Sequence, residues 1–264
     1  MALFNTVKLF GVPIFTGSFQ EAFVVITRAL ENKTSRVSCG VYIVYTPNTE
    51  HVMLAQRHPQ FLHALQSADL ALPDGIGVVW ASNMLSSSRK ESGGAKERIT
   101  GREMMFSLIE YCAHHHLRVF LLGGREQVAQ KTAEYFRGRF SDLEIAYDEG
   151  ANMVAQETFE ENTRTLSAIQ KFQPELLCVA YGAPHQELWI EHHRDELSRA
   201  RVRVAMGVGG SFDIFSGRLS LPSTYVERIG LEWLWRLLQE PWRWKRQTVL
   251  VQFWIKVWIK KIFG

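Results

Sequence analysis

The sequence predicts an α/β fold: a mostly parallel sheet with helices on both faces, followed by a C-terminal helical appendage. Three observations predict it. Six short apolar runs alternate with seven helix-length segments, and most of the runs end in polar or glycine-containing turns. The end of the chain differs in kind from the rest: six of the eight tryptophans lie beyond residue 230, and Pro241 to Gly264 holds six basic residues and no acid.

The strand-like runs are "VSCGVYIVY" (37–45), "ADLALP" (68–73), "RVFLLGG" (118–124), "LEIAY" (143–147), "ELLCVAYG" (175–182) and "VRVAMGVGG" (202–210). Helical candidates lie near 18–31, 49–67, 76–85, 101–116, 125–139, 155–172 and 184–198. Near-continuous apolar strands indicate a sheet buried on both faces. With 264 residues, 46% of them hydrophobic, the chain suffices for one large core. Its division is expected at residue 217, with 1–217 as the catalytic domain and 218–264 as the appendage. Cys39, Cys112 and Cys178 are odd in number and lack CxxC spacing, so neither a disulfide framework nor a zinc site is expected, which fits a reducing cytosol. The N-terminal "MALFNTVKLFGVPIF" lacks the features of an export signal.

Ligands of parallel sheets collect at the carboxyl ends of the strands. Five ends here carry "YTPNTE", "LPDG", "LLGGRE", "YGAPHQE" and "GVGGSFD", which are expected to converge on one edge. Asp74 would then border a cleft, with Gly75 turning the chain into the next helix. A carboxylate partly shielded from water has a raised pKa, which suits a general base. The same position also suits the N-cap of helix 76–85, and spacing alone does not separate the two. Gly123 and Gly124 can offer amides and a helix dipole to a phosphate, or simply form a tight turn. Gly209 and Gly210, beside Ser211 and Asp213, allow close approach of a ligand or close packing. Thr46, Asn48 and Gln186 are neutral hydrogen bonders of the kind that fix sugar hydroxyls, and each is equally suited to capping or turning.

Several chemistries lack their residues. There is no GxSxG elbow, no HExxH, no GxxxxGK[ST] loop and no DxD pair. His114, His115 and His116 are adjacent helix residues that point in different directions, so they are read as caps at a helix end. His192 and His193 are read as a solvated helix face.

In the tail, Lys245, Thr248, Gln252, Lys256 and Lys260 form one narrow polar stripe on an otherwise apolar helix. Thr248 to Ile259 is 12 residues, about 18 Å of helix against the roughly 30 Å of a bilayer core. Such a segment does not span; with its lysines and tryptophans it is expected to lie in the plane of an anionic membrane. Packing on its own domain or on a partner subunit is the alternative.

The strings "LPDGIGVVWA", "RITGRE", "VFLLGG", "VAYGAPHQELWI", "GVGGSFDIFSG" and "GLEWLWRLLQEPWRWKRQ", in this order, resemble the WecG/TagA/CpsF glycosyltransferases from about Tyr45 to Gln247. The resemblance implies a Rossmann-like core with a membrane-meeting appendage. It also implies transfer of a sugar from a UDP-sugar to a sugar on undecaprenyl diphosphate, with inversion and without a required metal or cofactor. By motif, Asp74 corresponds to the catalytic base, Arg98 to a group stabilising the leaving diphosphate, and Thr46, Asn48 and Gln186 to pocket residues. Gly75, Gly123, Gly124, Gly209 and Gly210 are assigned to substrate. Arg236, Arg243 and Arg246 correspond to arginines that reach the lipid diphosphate, and Trp254, Lys256, Trp258 and Lys260 are assigned to the membrane. Where the family often has a Lys/Arg-Ala-Pro segment, this chain reads "RLSLPS". The expected setting is the cytoplasmic face of the plasma membrane, as a peripheral protein that binds no nucleic acid and is open to homo-oligomer formation. A dinucleotide-dependent oxidoreductase is the alternative, though GxGxxG is absent.

Overall fold

The computed structural model describes residues 6–31, 40–86, 93–124, 127–151, 153–220, 232–239 and 244–263. Its centre is a six-stranded sheet, paired in parallel throughout, built from β3 (Tyr42–Tyr45), β4 (Leu70–Ala71), β5 (Val119–Gly123), β6 (Ile145–Asp148), β7 (Leu176–Ala180) and β8 (Val204–Gly207). The spatial order is β4-β3-β8-β7-β5-β6. Composition follows place: interior β3, β5 and β8 are buried throughout and β7 nearly so, whereas edge strand β6 is buried only at Ile145 and ends in Asp148.

Side chains alternate between two cores, as the two-residue strand period requires. Tyr42, Val44, Val119, Leu121, Leu176, Cys178, Val204 and Met206 face one core, which is closed by α1 (Phe19–Leu30), α5 (Gly101–His114) and α6 (Val128–Arg139). Ile43, Tyr45, Phe120, Leu122, Leu177, Val179 and Ala205 face the other. That side is closed by α2 (Thr49–Ala55), α3 (Pro59–Ser67), α4 (Ile76–Ser86), α7 (Phe159–Phe172), α8 (His185–His192) and α9 (Arg194–Arg199). After β8 come the short α10 (Ser211–Phe215), α11 (Glu232–Gln239) and α12 (Trp244–Phe263).

Three elements differ from expectation. The helix expected over 184–198 is divided at His193 into α8 and α9. Residues 49–67 are not one helix: α2 stops at Ala55, and Pro59 opens α3 behind a His58 cap, because proline suits the first turn of a helix and not its interior. The N-terminal segment adds an antiparallel hairpin, β1 (Thr6–Leu9) and β2 (Val12–Phe15), turning at Phe10 and Gly11 with φ of 50° and 86°. Positive φ at both central residues is the two-residue hairpin geometry.

Helix α12 joins the second core through Phe253 and Val257, both fully buried. Phe10 meets Phe253 edge-on at 6.2 Å, Trp80 of α4 meets Trp254 at 6.5 Å, and Arg57 donates to Gln252 at 2.7 Å. Lys260 lies 5.1 Å above the Phe10 ring, and Lys261 donates to the Met84 carbonyl at 2.8 Å. The helix therefore packs on its own domain, yet Val251, Ile255, Trp258, Ile259 and Ile262 remain exposed. At 100° per residue these five lie roughly opposite the Phe253–Val257 seam. Lys256 is exposed beside them.

The seam carries the docking of α12. Phe253→Ala, which empties a fully buried site, is expected to remove about 3–5 kcal/mol and to raise tryptic cleavage at Lys256 and Lys260 severalfold in lipid-free solution. Ile255→Ala on the exposed face should leave cleavage unchanged. Equal behaviour of the two variants would show that the seam does not hold the helix.

Candidate active site

A cavity of about 650 Å³ opens over the carboxyl edge of the sheet, lined by the segments that follow β3, β4, β7 and β8 and by residues 98–102. These four strands are neighbours in the sheet order. Four strand ends therefore converge, not five. The turn after β5 does not line the cavity, because β5 lies beyond β7. Gly123 and Gly124 serve packing instead. A Cβ on Gly123, at φ +101°, would meet the Tyr181 ring at 2.9 Å and the Ala180 backbone at 3.0 Å; one on Gly124 would meet Val128 at 2.9 Å. Gly75, at φ +122°, also lies outside the lining and turns the chain into α4.

Asp74 lines the cavity with its side chain 29% exposed, so it is open to a ligand and not sealed in the core. Its own amide donates to Pro47 O at 3.2 Å, and its Oδ2 accepts from the amide of Gly101 at 3.4 Å. The carboxylate therefore faces the start of α5, where an anion meets the positive end of the helix dipole. Arg98 Nε stands 3.9 Å from Asp74 Oδ1. Segment 98–101 is fixed there by the bond from Ile99 N to Pro73 O at 3.0 Å and by Thr100, which caps α5 through Glu103 N at 3.2 Å.

Thr46, Asn48, Gln186, Gly209 and Gly210 also line the cavity. Thr46 is buried beneath Gly101. Asn48 caps α2, accepting from His51 N at 3.1 Å while its own amide donates to His51 Nδ1 at 3.2 Å. Further lining residues, not singled out by the sequence, are Glu50, Arg102, Tyr181 and His185, which lie inside the quoted strings, and His51, which adjoins one. Asp213 lines it too, 3.6 Å from Arg218. Among the described residues, no group of three or more His, Cys, Asp or Glu side chains is placed to hold a metal ion. Arg243 lies outside the described residues, as do the side chains of Arg236 and Arg246.

Gln186 takes a different part from that expected of a sugar contact. It is 1% exposed, and its Oε1 accepts from Gly182 N at 3.2 Å and Gly209 N at 3.0 Å. Both acceptor positions are thus filled by main chain, and Nε2 donates to Glu187 Oε1 at 2.8 Å. Gly207 leaves it room, since a Cβ there would stand 3.0 Å from Nε2. Glu187 is itself buried, with Oε2 unpartnered, while its carbonyl accepts from Tyr45 Oη at 3.1 Å. Burial pushes the Glu187 carboxyl up to about 7 against the lowering bond from Gln186. His193, expected on a solvated face, is buried against Trp189 at 4.7 Å, and burial lowers it to about 4.

A parallel sheet with a polar cavity of this size over its carboxyl edge defines a Rossmann-like ligand-binding fold. The chain belongs to the Glycosyl transferase WecG/TagA/CpsF family, whose profile matches residues 7–264. It is 34% identical over 215 residues to the N-acetylglucosaminyldiphosphoundecaprenol N-acetyl-beta-D-mannosaminyltransferase of Bacillus spizizenii, covering 81% of this chain and 77% of that one. The protein of that name from Bacillus subtilis is 31% identical over 212 residues, with 80% and 77% covered. The one from Staphylococcus aureus is 30% identical over 203 residues, with 77% and 73% covered. Family membership displaces the oxidoreductase alternative.

The buried acid has a stability signature. Glu187 releases its proton near 7 in the fold against 4.5 in the open chain, so the native state binds more protons in that window and loses stability as pH rises through it. His193, lowered from 6.5 to about 4, works in the opposite direction, losing stability as pH falls through that window. The difference in Tm between Glu187→Gln and the parent is therefore expected to grow in the variant's favour from pH 4.5 to 7. A pH-independent difference would show that the Glu187 carboxyl does not titrate there.

Proposed function

We propose that this glycosyltransferase moves a sugar from a UDP-sugar onto a sugar carried by undecaprenyl diphosphate, by a single inverting displacement that requires no metal. The observation that carries the reading is Asp74, partly exposed in a polar cavity with Arg98 at 3.9 Å. Asp74 takes the proton of the acceptor hydroxyl as its oxygen bonds to the anomeric carbon. The bond from that carbon to the diphosphate breaks, and the electron pair leaves with UDP. Arg98, with Arg102 in the same lining, offsets the charge that develops on the leaving group. The relatives' names support N-acetylmannosamine as the donor sugar and lipid-linked N-acetylglucosamine as the acceptor.

The setting we propose is the cytoplasmic face of the plasma membrane. Among the described residues no helix is long and apolar enough to cross a membrane. The exposed apolar face of α12, with Trp258 at 55% and Ile262 at 66% exposure, supports attachment in the membrane plane.

Asp74→Asn keeps an oxygen for the Gly101 amide and removes the base. It should fold as the parent does and lose at least about a hundredfold in kcat, measured as sugar transfer onto a lipid-diphosphate glycoside. Retained activity would take Asp74 out of the role. For the attachment, Ile255→Glu with Ile262→Glu should abolish flotation with phosphatidylglycerol vesicles while leaving transfer to a short-chain soluble acceptor intact; undiminished flotation would refute it.

A further inference from the structure

An apolar strip runs from the tail helix to the rim of the cavity. On α4, Ile76 and Trp80 stand one turn apart on the same face, 41% and 60% exposed. Ile76, the first residue of α4, is two residues beyond Asp74, and Trp80 lies about 6 Å further along the helix axis. At its far end Trp80 touches Trp254 edge-on at 6.5 Å. Trp254 sits on the flank of α12, between the buried seam and the exposed face that bears Trp258 and Val251. The strip runs from the outer face of α12 through Trp254 and Trp80 to Ile76, two residues along the chain from the cavity-lining Asp74.

Its position is fixed on both sides. Gly75 and Gly77 bring the start of α4 against α2, where added Cβ atoms would stand 3.8 Å from Asn48 Cβ and 2.8 Å from Thr49 Cγ2. At the other end of α4, Lys261 holds the Met84 carbonyl at 2.8 Å. The strip cannot turn away from the cavity without breaking contacts at both ends.

Resting on the reading above, we propose that Ile76 and Trp80 form a lane for the polyprenyl chain of the acceptor, leading it from the bilayer under α12 to the cavity. A lipid-linked sugar has its hydroxyl, diphosphate and hydrocarbon in linear sequence. With the hydroxyl at Asp74, the diphosphate and the hydrocarbon beyond it must leave along some surface. Among the described residues bordering Asp74, this strip is apolar, exposed and continuous with the bilayer-facing helix. The tryptophans suit the boundary between hydrocarbon and headgroup.

The test compares two acceptors, the same diphosphate glycoside on an undecaprenyl chain in phosphatidylglycerol vesicles and on a short, water-soluble alkyl chain. The variants are Ile76→Ala with Trp80→Ala, and Trp80→Phe. The lane predicts that the double variant raises KM for the undecaprenyl acceptor about tenfold, leaves KM and kcat for the short acceptor unchanged, and floats with vesicles as the parent does. Trp80→Phe, which keeps an aromatic surface, should retain most of the parent's behaviour. Equal effects on both acceptors, or no effect on either, would overturn the lane while leaving the Asp74 reading standing. A parent chain that transfers to neither acceptor would overturn both.

Discussion

The cavity depends on one buried carboxamide. The segments after β7 and β8 supply about half of its lining, each running from a turn into the start of a short helix, α8 or α10. What joins them is the oxygen of Gln186, which accepts from the amides of Gly182 and Gly209 together. The arrangement accounts for neighbours that otherwise look arbitrary. Gly207 must lack a side chain to make room for the carboxamide, and Gly209, at φ +53°, turns its amide toward it. Glu187 then receives a bond from the carboxamide nitrogen, and its burial raises its pKa to about 7. That shift lessens the negative charge beside a site proposed to take an anionic donor.

Asp74 is held by the opposite device. Its carboxylate is kept at the surface of the cavity, and groups from one segment, residues 98–101, orient it: an amide at the start of α5 and the guanidinium of Arg98. Because that segment hangs on Pro73, the residue before Asp74, the carboxylate and the guanidinium are fixed relative to each other by a short backbone path. This geometry suits a displacement in which proton removal and departure of the diphosphate happen close together, since the positions of both groups are set before substrate arrives.

Much of this was legible in the sequence. All six strands appear as apolar runs because burial on both faces leaves polar residues no place in them. The Asp74 turn was legible for the same reason, as a carboxylate among residues too apolar to pair with it. Strand order was not legible, because pairing between distant segments leaves no local mark; the Gly123-Gly124 turn was therefore placed in a cavity from which β7 separates it. The internal role of Gln186 was hidden too, since a glutamine that binds sugar and one that binds backbone read alike. The hairpin left a weak sign, Phe-Gly between two four-residue strands, without the Asn-Gly or Asp-Gly pair that marks such turns clearly. The split of helix 49–67 was written in Pro59.

The tail shows how one helix can answer two demands. Its narrow polar stripe leaves nearly the whole circumference apolar, which in a soluble protein would mean burial on every side. Only one side is buried, where Phe253 and Val257 enter the second core. The opposite side keeps five exposed apolar residues. Lys256 is exposed between the two faces, whereas Lys260 lies near the seam with its Nζ 5.1 Å from the centre of the Phe10 ring. A flexible tether would hold the chain near a membrane in any orientation. A helix fixed by a core seam on one side and exposed on the other allows essentially one orientation, and under the proposed attachment that orientation also sets the cavity relative to the surface from which the proposed lipid-linked acceptor would come.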